Sequence, residues 1–170
     1  MAPGRGRMAV VMPQGVLFRS NVEGDIRRKL VESDLVEAVV TLGDKLFYGT
    51  GLSPCFLILR RMKSAEHSGK VLMVDGTKVL TPKRAQNVLE QKDIDRLYEL
   101  YHNYENVEDF SKVVTLKEIG EKDFDLSPNR YVDYHREEIR PYAEVLAEFK
   151  QAYEEVKRLE QEFETLINAQ

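Results

Sequence analysis

Two aromatic residues and two glycines lie together in the segment Leu46-Phe47-Tyr48-Gly49-Thr50-Gly51. An aromatic ring on such a loop can stack on a nucleic-acid base that has left its helix, an interaction worth about 1–3 kcal/mol per base. The alternative is a turn between two strands, with Phe47 and Tyr48 filling the core. A phosphate-binding loop is not indicated, because Gly-Thr-Gly lacks both the GxGxxG and the Gly-Lys-Ser/Thr patterns.

A second candidate is the segment Met12-Pro13-Gln14-Gly15, which ends an apolar run. If Met8-Ala9-Val10-Val11-Met12 is a strand buried on both faces, then Pro13, Gln14 and Gly15 follow its carboxyl end. Open α/β sheets bind their ligands at that end of the strands. A tight turn would explain the proline and the glycine equally well.

Positive charge is concentrated in the first 70 residues, which carry 11 Lys or Arg against 7 Asp or Glu. Residues 71–140 (11 against 15) and 141–170 (3 against 7) are acidic, and the whole chain has a net charge of −4. Any surface that faces DNA is therefore expected in the first 70 residues. The candidate phosphate contacts are Arg27, Arg28, Arg60 and Arg61, and a solvated surface is the alternative.

Several classes of protein are excluded by what the chain contains. Its single cysteine, Cys55, excludes an internal disulfide and a cysteine-based zinc site, and three histidines far apart in sequence give no support for a metal. No apolar run approaches the roughly 20 residues needed to cross a bilayer. We therefore expect no metal, no membrane contact and a reduced, cytoplasmic environment.

The first 42 residues predict a βαβ unit. A strand at residues 8–12 and a valine-rich strand at residues 35–42 flank a helix that Ser20 and Glu23 would cap. The two strands should be parallel and lie in one sheet. Within the helix, Val22, Ile26 and Leu30 recur every fourth residue, which predicts an apolar inner face and an outer face with Arg27, Arg28 and Lys29.

The following residues predict shorter elements. A strand at residues 55–59 should pair antiparallel with residues 35–42, because the connection is short. The remaining predictions are strands at 71–74 and 113–114, a helix over 92–103, a short helix capped by Thr115 and Glu118, and an extended segment at 125–131.

The last 30 residues predict one long helix with an apolar seam. The spacings between its apolar residues alternate between 3 and 4 over four heptads, which is typical of coiled coils. Packing onto its own domain is the alternative to pairing with a partner helix. The seam residues are Tyr142, Val145, Phe149, Ala152, Val156, Leu159, Phe163 and Leu166.

Four segments resemble the modification (methylation) subunit of type I restriction-modification systems. They occur in the family's order and spacing across about residues 4–133, and they are Gly6-Arg7-Met8-Ala9-Val10-Val11-Met12-Pro13-Gln14-Gly15-Val16-Leu17-Phe18-Arg19, Glu23-Gly24-Asp25-Ile26-Arg27, Leu46-Phe47-Tyr48-Gly49-Thr50-Gly51 and Asn129-Arg130-Tyr131-Val132-Asp133. The family consists of N-6 adenine DNA methyltransferases that use S-adenosylmethionine. Its fold is a Rossmann-like sheet of seven strands, of which the last is antiparallel.

The resemblance implies the C-terminal part of such a subunit, in which Met8-Ala9-Val10-Val11-Met12 is the fifth strand. The family's glycine-rich cofactor motif and its Asn-Pro-Pro-Phe/Tyr motif do not occur in this sequence. The resemblance implies that Phe47 or Tyr48 stacks on the target adenine. It also implies that Pro13, Gln14 and Gly15 line the active-site cleft. We therefore expect no S-adenosylmethionine to bind to this chain alone.

The expected fold class is α/β: the C-terminal half of a Rossmann-like sheet (residues 1–80), a mixed α/β extension (81–140) and an interaction helix (141–170). The resemblance implies as partners the DNA-specificity subunit, the restriction subunit and duplex DNA. Self-association through an exposed edge strand or the C-terminal helix is also expected. The alternative function is a non-enzymatic interaction module that docks by its C-terminal helix.

Overall fold

Five strands pair into one mixed sheet, in the spatial order first, third, second, fourth, fifth. A computed structural model describes residues 5–135 and 141–168, with side chains as far as residue 164. The strands are β1 (Arg7–Pro13), β2 (Val36–Leu42), β3 (Pro54–Arg60), β4 (Lys70–Gly76) and β5 (Ser111–Thr115). The helices are α1 (Val22–Glu32), α2 (Gln91–Asn103), α3 (Leu116–Glu121) and α4 (Tyr142–Asn168), and short 3-10 turns cover Gln14–Leu17 and Pro128–Arg130.

Strands β1, β2 and β4 run parallel to one another. β3 lies between β1 and β2 and is antiparallel to both, and β5 is antiparallel to β4. The predicted parallel arrangement of β1 and β2 in one sheet is therefore confirmed, as is the antiparallel pairing of β2 with β3. The strands predicted at 71–74 and 113–114 and the helix over 92–103 are present as well.

The centre of the sheet is buried on both faces. Successive side chains of a strand point to opposite faces, and each face is covered by helices. On one face Met73 packs in a core with Val31 of α1 and Ile119 of α3. On the other face Leu72 packs with Leu100 of α2. This arrangement explains the nearly continuous apolar sequence of β2 and β4.

Strand β1 differs from its prediction because it lies at the edge of the sheet. Met8, Ala9 and Val11 are exposed, and Val11 retains 48% of its accessible surface. Among the described residues β1 pairs with β3 alone. The expectation that it is buried on both faces was wrong, because an apolar run does not specify how many strands flank it.

Helix α1 also differs from its prediction. Its N-cap is Asn21, with φ 62° and no capping hydrogen bond from its side chain, so the predicted capping box of Ser20 and Glu23 is wrong. Val22 and Ile26 are exposed, whereas Arg27 is 6% exposed. The predicted inner and outer faces are therefore wrong at these three positions.

The capping box predicted at the start of α3 is confirmed. Thr115 Oγ1 accepts a hydrogen bond from the Glu118 N–H, and the Glu118 carboxylate accepts one from the Thr115 N–H. The segment at 125–131 is not wholly extended, because Pro128 begins a 3-10 turn there. Proline suits the first position of a helical turn, since it has no N–H to leave unpaired.

The chain divides into two units, Met1–His135 and Arg136–Gln170. β4 and β5 pair across the boundary predicted at residue 80, and the division at residues 80 and 140 stays a prediction. In the second unit α4 is continuous over 27 residues, which confirms the predicted long helix. No helix in the described part of the chain is long and apolar enough to span a membrane.

Candidate functional site

The carboxyl ends of the three parallel strands meet at one edge of the sheet and form a cleft. Gln14 follows β1, Thr41 is near the end of β2, and Asp75 is near the end of β4. The cleft has a volume of about 230 Å³. Its lining residues are Gln14, Leu17, Phe18, Thr41, Asp75, Thr77, Ser127, Pro128 and Asn129.

Asp75 organises the floor of this cleft. Its Oδ1 accepts hydrogen bonds from the N–H and the hydroxyl of Thr77 at 3.0 and 2.6 Å and from the Thr41 hydroxyl at 3.4 Å. The Tyr134 hydroxyl donates to Oδ2. Burial and this contact with Asp75 raise the pKa of Tyr134, which therefore remains a hydrogen-bond donor. With both oxygens accepting hydrogen bonds, Asp75 serves to position its neighbours.

Gln14 links the cleft to the loop at residues 43–53. Its Nε2 donates to the Leu42 carbonyl at 3.1 Å and to the Pro54 carbonyl at 3.4 Å. These two carbonyls stand at the two ends of the loop, so one side-chain amide ties them together. The Gln14 backbone N–H also donates to the Ser53 carbonyl.

The base of this loop is held while its tip projects into solvent. The Gln86 side chain donates to the Leu46 carbonyl, and Asn87 bonds to both Lys45 and Asp44. At the tip, Tyr48 is 93% exposed and Phe47 about half exposed. The alternative that these aromatic rings fill the core is therefore wrong. Two rings presented to solvent on an anchored loop are available to stack on a ligand.

The other residues predicted to line the cleft lie nearby. Pro13 lines a separate apolar pocket of about 190 Å³ that also includes Phe47, Thr50 and Leu52. Gly15 lies in the 3-10 turn that follows β1. Of the three predicted cleft residues, the structure thus places Gln14 in the wall of the cleft and Pro13 beside the aromatic loop.

Arg27 is part of the core and is not presented to a phosphate. Its Nε donates to the Phe124 carbonyl at 2.9 Å, and its Nη1 donates to the carbonyls of Val16 and Arg19 at 3.0 and 2.7 Å. Burial lowers the pKa of its guanidinium, while Asp125 and Glu23 raise it. Its predicted role as a surface cation is wrong because these carbonyls already bind the guanidinium.

The other three arginines are dispersed over the surface. Arg28 pairs with Glu32 at 3.1 Å and lies over the ring of Phe124. Arg60, at the end of β3, is paired at 2.5 Å with Glu37, whose carboxyl group is buried. Because β3 is antiparallel to β1, Arg60 and Arg61 lie at the end of the sheet opposite the cleft.

Sequence reasoning missed the polar residues of the cleft floor. The sequence analysis assigns no role to Thr41, Asp75 or Thr77. The available signal was a carboxylate directly after the strand predicted at 71–74, since open α/β sheets bind ligands at the carboxyl ends of their strands. Asn129 belongs to one of the four segments that resemble the family, but the sequence predicts no role for it. No cluster of His, Cys, Asp or Glu within residues 5–135 and 141–168 could hold a metal ion.

Comparison with known proteins identifies the class. The sequence model of the N-6 DNA methylase family matches residues 2–139. The chain therefore belongs to the N-6 DNA methylase family.

Similar proteins come from type I restriction systems. The methylase subunit of the MjaVII enzyme of Methanocaldococcus jannaschii is 36% identical over 131 residues, which are 75% of this chain and 23% of that protein. The MjaIX methylase subunit of the same organism is 34% identical over 96% of this chain and 30% of its own length. The chain thus spans less than a third of the length of either relative.

A solved structure agrees with the fold. The type I restriction-modification methyltransferase subunit of Streptococcus thermophilus has a TM-score of 0.70 and 32% identity to this chain, and the match covers 75% of this chain and 27% of that one. The α/β class and the resemblance to type I modification subunits are both confirmed.

Proposed function

We propose that the chain contributes the target-base side of a type I DNA adenine N-6 methyltransferase, acting in the cytoplasm as part of a larger complex. The observation that carries this proposal is the loop at residues 43–53. It presents Phe47 and Tyr48 to solvent while hydrogen bonds hold its base. An adenine turned out of the duplex would stack on one of these rings.

Gln14 supports this role by controlling the position of the loop. Because its amide binds the carbonyls of Leu42 and Pro54, the loop has a defined origin at the edge of the cleft. A loop with fixed ends loses less conformational freedom when a base stacks on its tip. The cleft beside it offers hydroxyl and amide groups from Thr41, Thr77 and Asn129.

The cofactor and the groups that bind the adenine amine are proposed to come from other parts of the complex. When bound, S-adenosylmethionine supplies the methyl group. Two glycines at the carboxyl ends of β2 and β4 leave no room for a cofactor beside them. A Cβ atom at Gly43 would lie 2.2 Å from Leu80, and one at Gly76 would lie 2.6 Å from Leu97, so protein atoms already occupy the space beside these glycines.

Helix α4 is proposed to dock onto helices of the DNA-specificity subunit. Five of its seam residues, Val145, Phe149, Val156, Leu159 and Phe163, are about half or more exposed, and Tyr142 is more exposed still. The side chain of Leu166 lies outside the described residues. A continuous apolar stripe of this length suits a coiled-coil partner. The restriction subunit would join the same complex.

The stacking proposal is tested with a single-stranded oligonucleotide that carries the fluorescent base 2-aminopurine. Stacking on the loop should quench its fluorescence when the 170-residue chain is added. Loss of the stacking ring, in Tyr48→Ala or in Phe47→Ala, should weaken binding by roughly 5- to 160-fold, and the corresponding Tyr48→Phe change should not.

The matched control is Tyr98→Ala, which removes an exposed tyrosine of α2 that lies outside the loop. Its binding should equal that of the unchanged chain. If both loop variants bind like this control, the loop does not stack on the base.

A further inference from the structure

Three exposed cations surround the base of the aromatic loop and form a basic rim. Lys45 belongs to the loop itself, and Lys78 belongs to the turn that follows β4. Arg84 belongs to a short hairpin that Thr81 and Val88 close by backbone hydrogen bonds. None of the three cations has a carboxylate partner among the described residues.

The pairing of β2 with β4 brings Lys45 and Lys78 to the same place. Leu42 and Gly76, the last residues of these two parallel strands, are partners in the sheet. Lys45 follows Leu42 by three residues, and its Cα atom therefore lies within about 10 Å of the strand end. Lys78 follows Gly76 by two residues, which limits its distance to about 7 Å. Both cations thus lie at the edge of the sheet that carries the cleft.

Hydrogen bonds attach the hairpin to the aromatic loop. The Asn87 backbone N–H donates to the Lys45 carbonyl at 3.0 Å, and the Gln86 side chain donates to the Leu46 carbonyl at 3.0 Å. Arg84 precedes Gln86 by two residues. The backbone of Arg84 is therefore held beside the loop by the same contacts that hold the base of the loop.

The charge around the basic rim is positive. Residues 76–89 contain three cations and no carboxylate, although residues 71–140 as a whole are acidic. One of these cations, Lys83, is paired with Glu90 at 3.3 Å and is not counted in the basic rim. The one acidic residue of the loop, Asp44, accepts a hydrogen bond from the hairpin. An anion would therefore find two free cations on this turn and hairpin and a third on the loop.

The arginines that the sequence suggested as phosphate contacts are less suitable. Arg27 is bound by backbone carbonyls, and carboxylates offset the charges of Arg28 and Arg60. At the basic rim a phosphate would not have to displace a carboxylate. The charge distribution predicts a DNA-facing surface in the first 70 residues, whereas two of the three rim cations lie beyond them.

We infer that the basic rim binds phosphates of the DNA strand whose base stacks on the aromatic loop. The inference rests on the proposed function and adds the path of the bound strand, whose backbone runs on the β4 side of the loop. A nucleotide has a phosphate on each side of its base, so cations close to both ends of the loop can meet them. Contacts of lysine and arginine to phosphate fix the position of a strand without reading its sequence.

The dependence of binding on salt tests the inference in the full 170-residue chain. Binding of a labelled single-stranded oligonucleotide is followed by fluorescence anisotropy at several salt concentrations. Each phosphate contact contributes about 0.7 to the slope of log affinity against log salt concentration. The rim variant, Lys78→Gln/Arg84→Gln, should therefore lower the slope by roughly 1.4 and weaken binding at low salt by about tenfold or more.

The matched control is Lys29→Gln/Lys70→Gln, which has the same net charge as the rim variant. Lys29 lies in the last turn of α1, and Lys70 begins β4. Both lysines are exposed and lie at the end of the sheet opposite the cleft. This control should keep the slope of the unchanged chain. Equal slopes of the rim variant and the control would overturn the inference.

An abasic strand of the same length separates this inference from the proposed function, because it keeps the phosphates and lacks the bases. It should bind more weakly than the normal strand, and the rim variant should lower its slope by the same amount. Loss of 2-aminopurine quenching with this difference intact would contradict the stacking proposal alone. If the abasic strand does not bind at low salt, or binds the rim variant and the control equally, the inference is wrong even where stacking is observed.

Discussion

The apolar side chains in the centre of the sheet are buried, whereas those of helix α4 are exposed. In the centre of the sheet, Leu72, Met73 and Val39 are completely buried by helices of the same unit. In α4, Phe149, Leu159 and Phe163 are at least half exposed. The sheet therefore derives its stability from its own core, whereas the seam of α4 is left exposed and is proposed to be buried by a partner. The following predictions test this difference, from the largest expected change in the free energy of unfolding to the smallest.

Replacing a leucine by alanine should change the free energy of unfolding far more in the sheet than in α4. Leu72→Ala removes a completely buried side chain and should lower the free energy of unfolding by about 2–5 kcal/mol. Leu159→Ala, on α4, should change it by about 0.5 kcal/mol or less in the chain without its partner. Urea denaturation followed by circular dichroism measures both. Equal losses would show that α4 is stabilised by packing within its own chain.

The arginines of α1 offer a second comparison. Arg27→Met leaves three backbone carbonyls without their cationic donor and should cost about 3 kcal/mol. Arg28→Met removes an exposed partner of Glu32 and should cost about 0.5 kcal/mol or less. Thermal unfolding of both variants decides the matter. If replacing Arg27 costs no more than replacing Arg28, the hydrogen bonds of Arg27 to these carbonyls do not stabilise the fold.

These two arginines show what could be predicted from the sequence and what could not. Local signals predicted β2, β3, β4, α2 and α4, since periodicity and apolar runs act within a few residues. The role of Arg27 depends on the carbonyls of Val16, Arg19 and Phe124, the last of which is 97 residues away. No pattern around residue 27 indicates that carbonyl.

The candidate site likewise contains residues that the sequence predicted and residues that it did not. The loop with Phe47 and Tyr48 was identified from composition, and Gln14 from its place after β1. Asp75 was missed, because its importance arises only when β4 is placed parallel to β2 and Tyr134 reaches its carboxylate. The edge position of β1 was likewise not evident from its sequence, which is as apolar as that of a central strand.

The capping box of α3 should contribute a pH-dependent increment to the stability of the sheet unit. Hydrogen bonds from the Thr115 N–H and then from its hydroxyl lower the pKa of Glu118. A carboxyl group with a lowered pKa in the folded state stabilises above its unfolded value, about 4.3, and loses this effect as the pH falls. Glu118→Ala should therefore cost about 1 kcal/mol at pH 7 and clearly less at pH 3.

The control for Glu118→Ala is Glu121→Ala, at the other end of α3. The exposed Glu121 carboxylate lies 3.8 Å from Lys117 Nζ. Its effect should be within about 0.5 kcal/mol at pH 7. Urea titrations at the two pH values test this prediction. A cost of Glu118→Ala that is equal at pH 7 and pH 3 would mean that the charge of the carboxylate is not involved.

A double substitution on α4 should change the stability of the chain least and its association with a partner most. Val156→Asp/Phe163→Asp alters two exposed residues of α4 and should leave the unfolding of the sheet unit within about 0.5 kcal/mol of the unchanged chain. The same double change should abolish binding to the helices of a DNA-specificity subunit, because two charges would enter the paired seam. Retention of the partner in a pull-down would show that the seam is not the interface.

The central claim is that this chain supplies a base-stacking loop and relies on other parts of the complex for the cofactor. Calorimetric titration of the 170-residue chain with S-adenosylmethionine tests it most directly. No saturable heat of binding is predicted, because the sequence lacks the glycine-rich turn and the spaces beside Gly43 and Gly76 are filled by leucine side chains. Saturable binding at micromolar concentration by the purified chain would contradict the account.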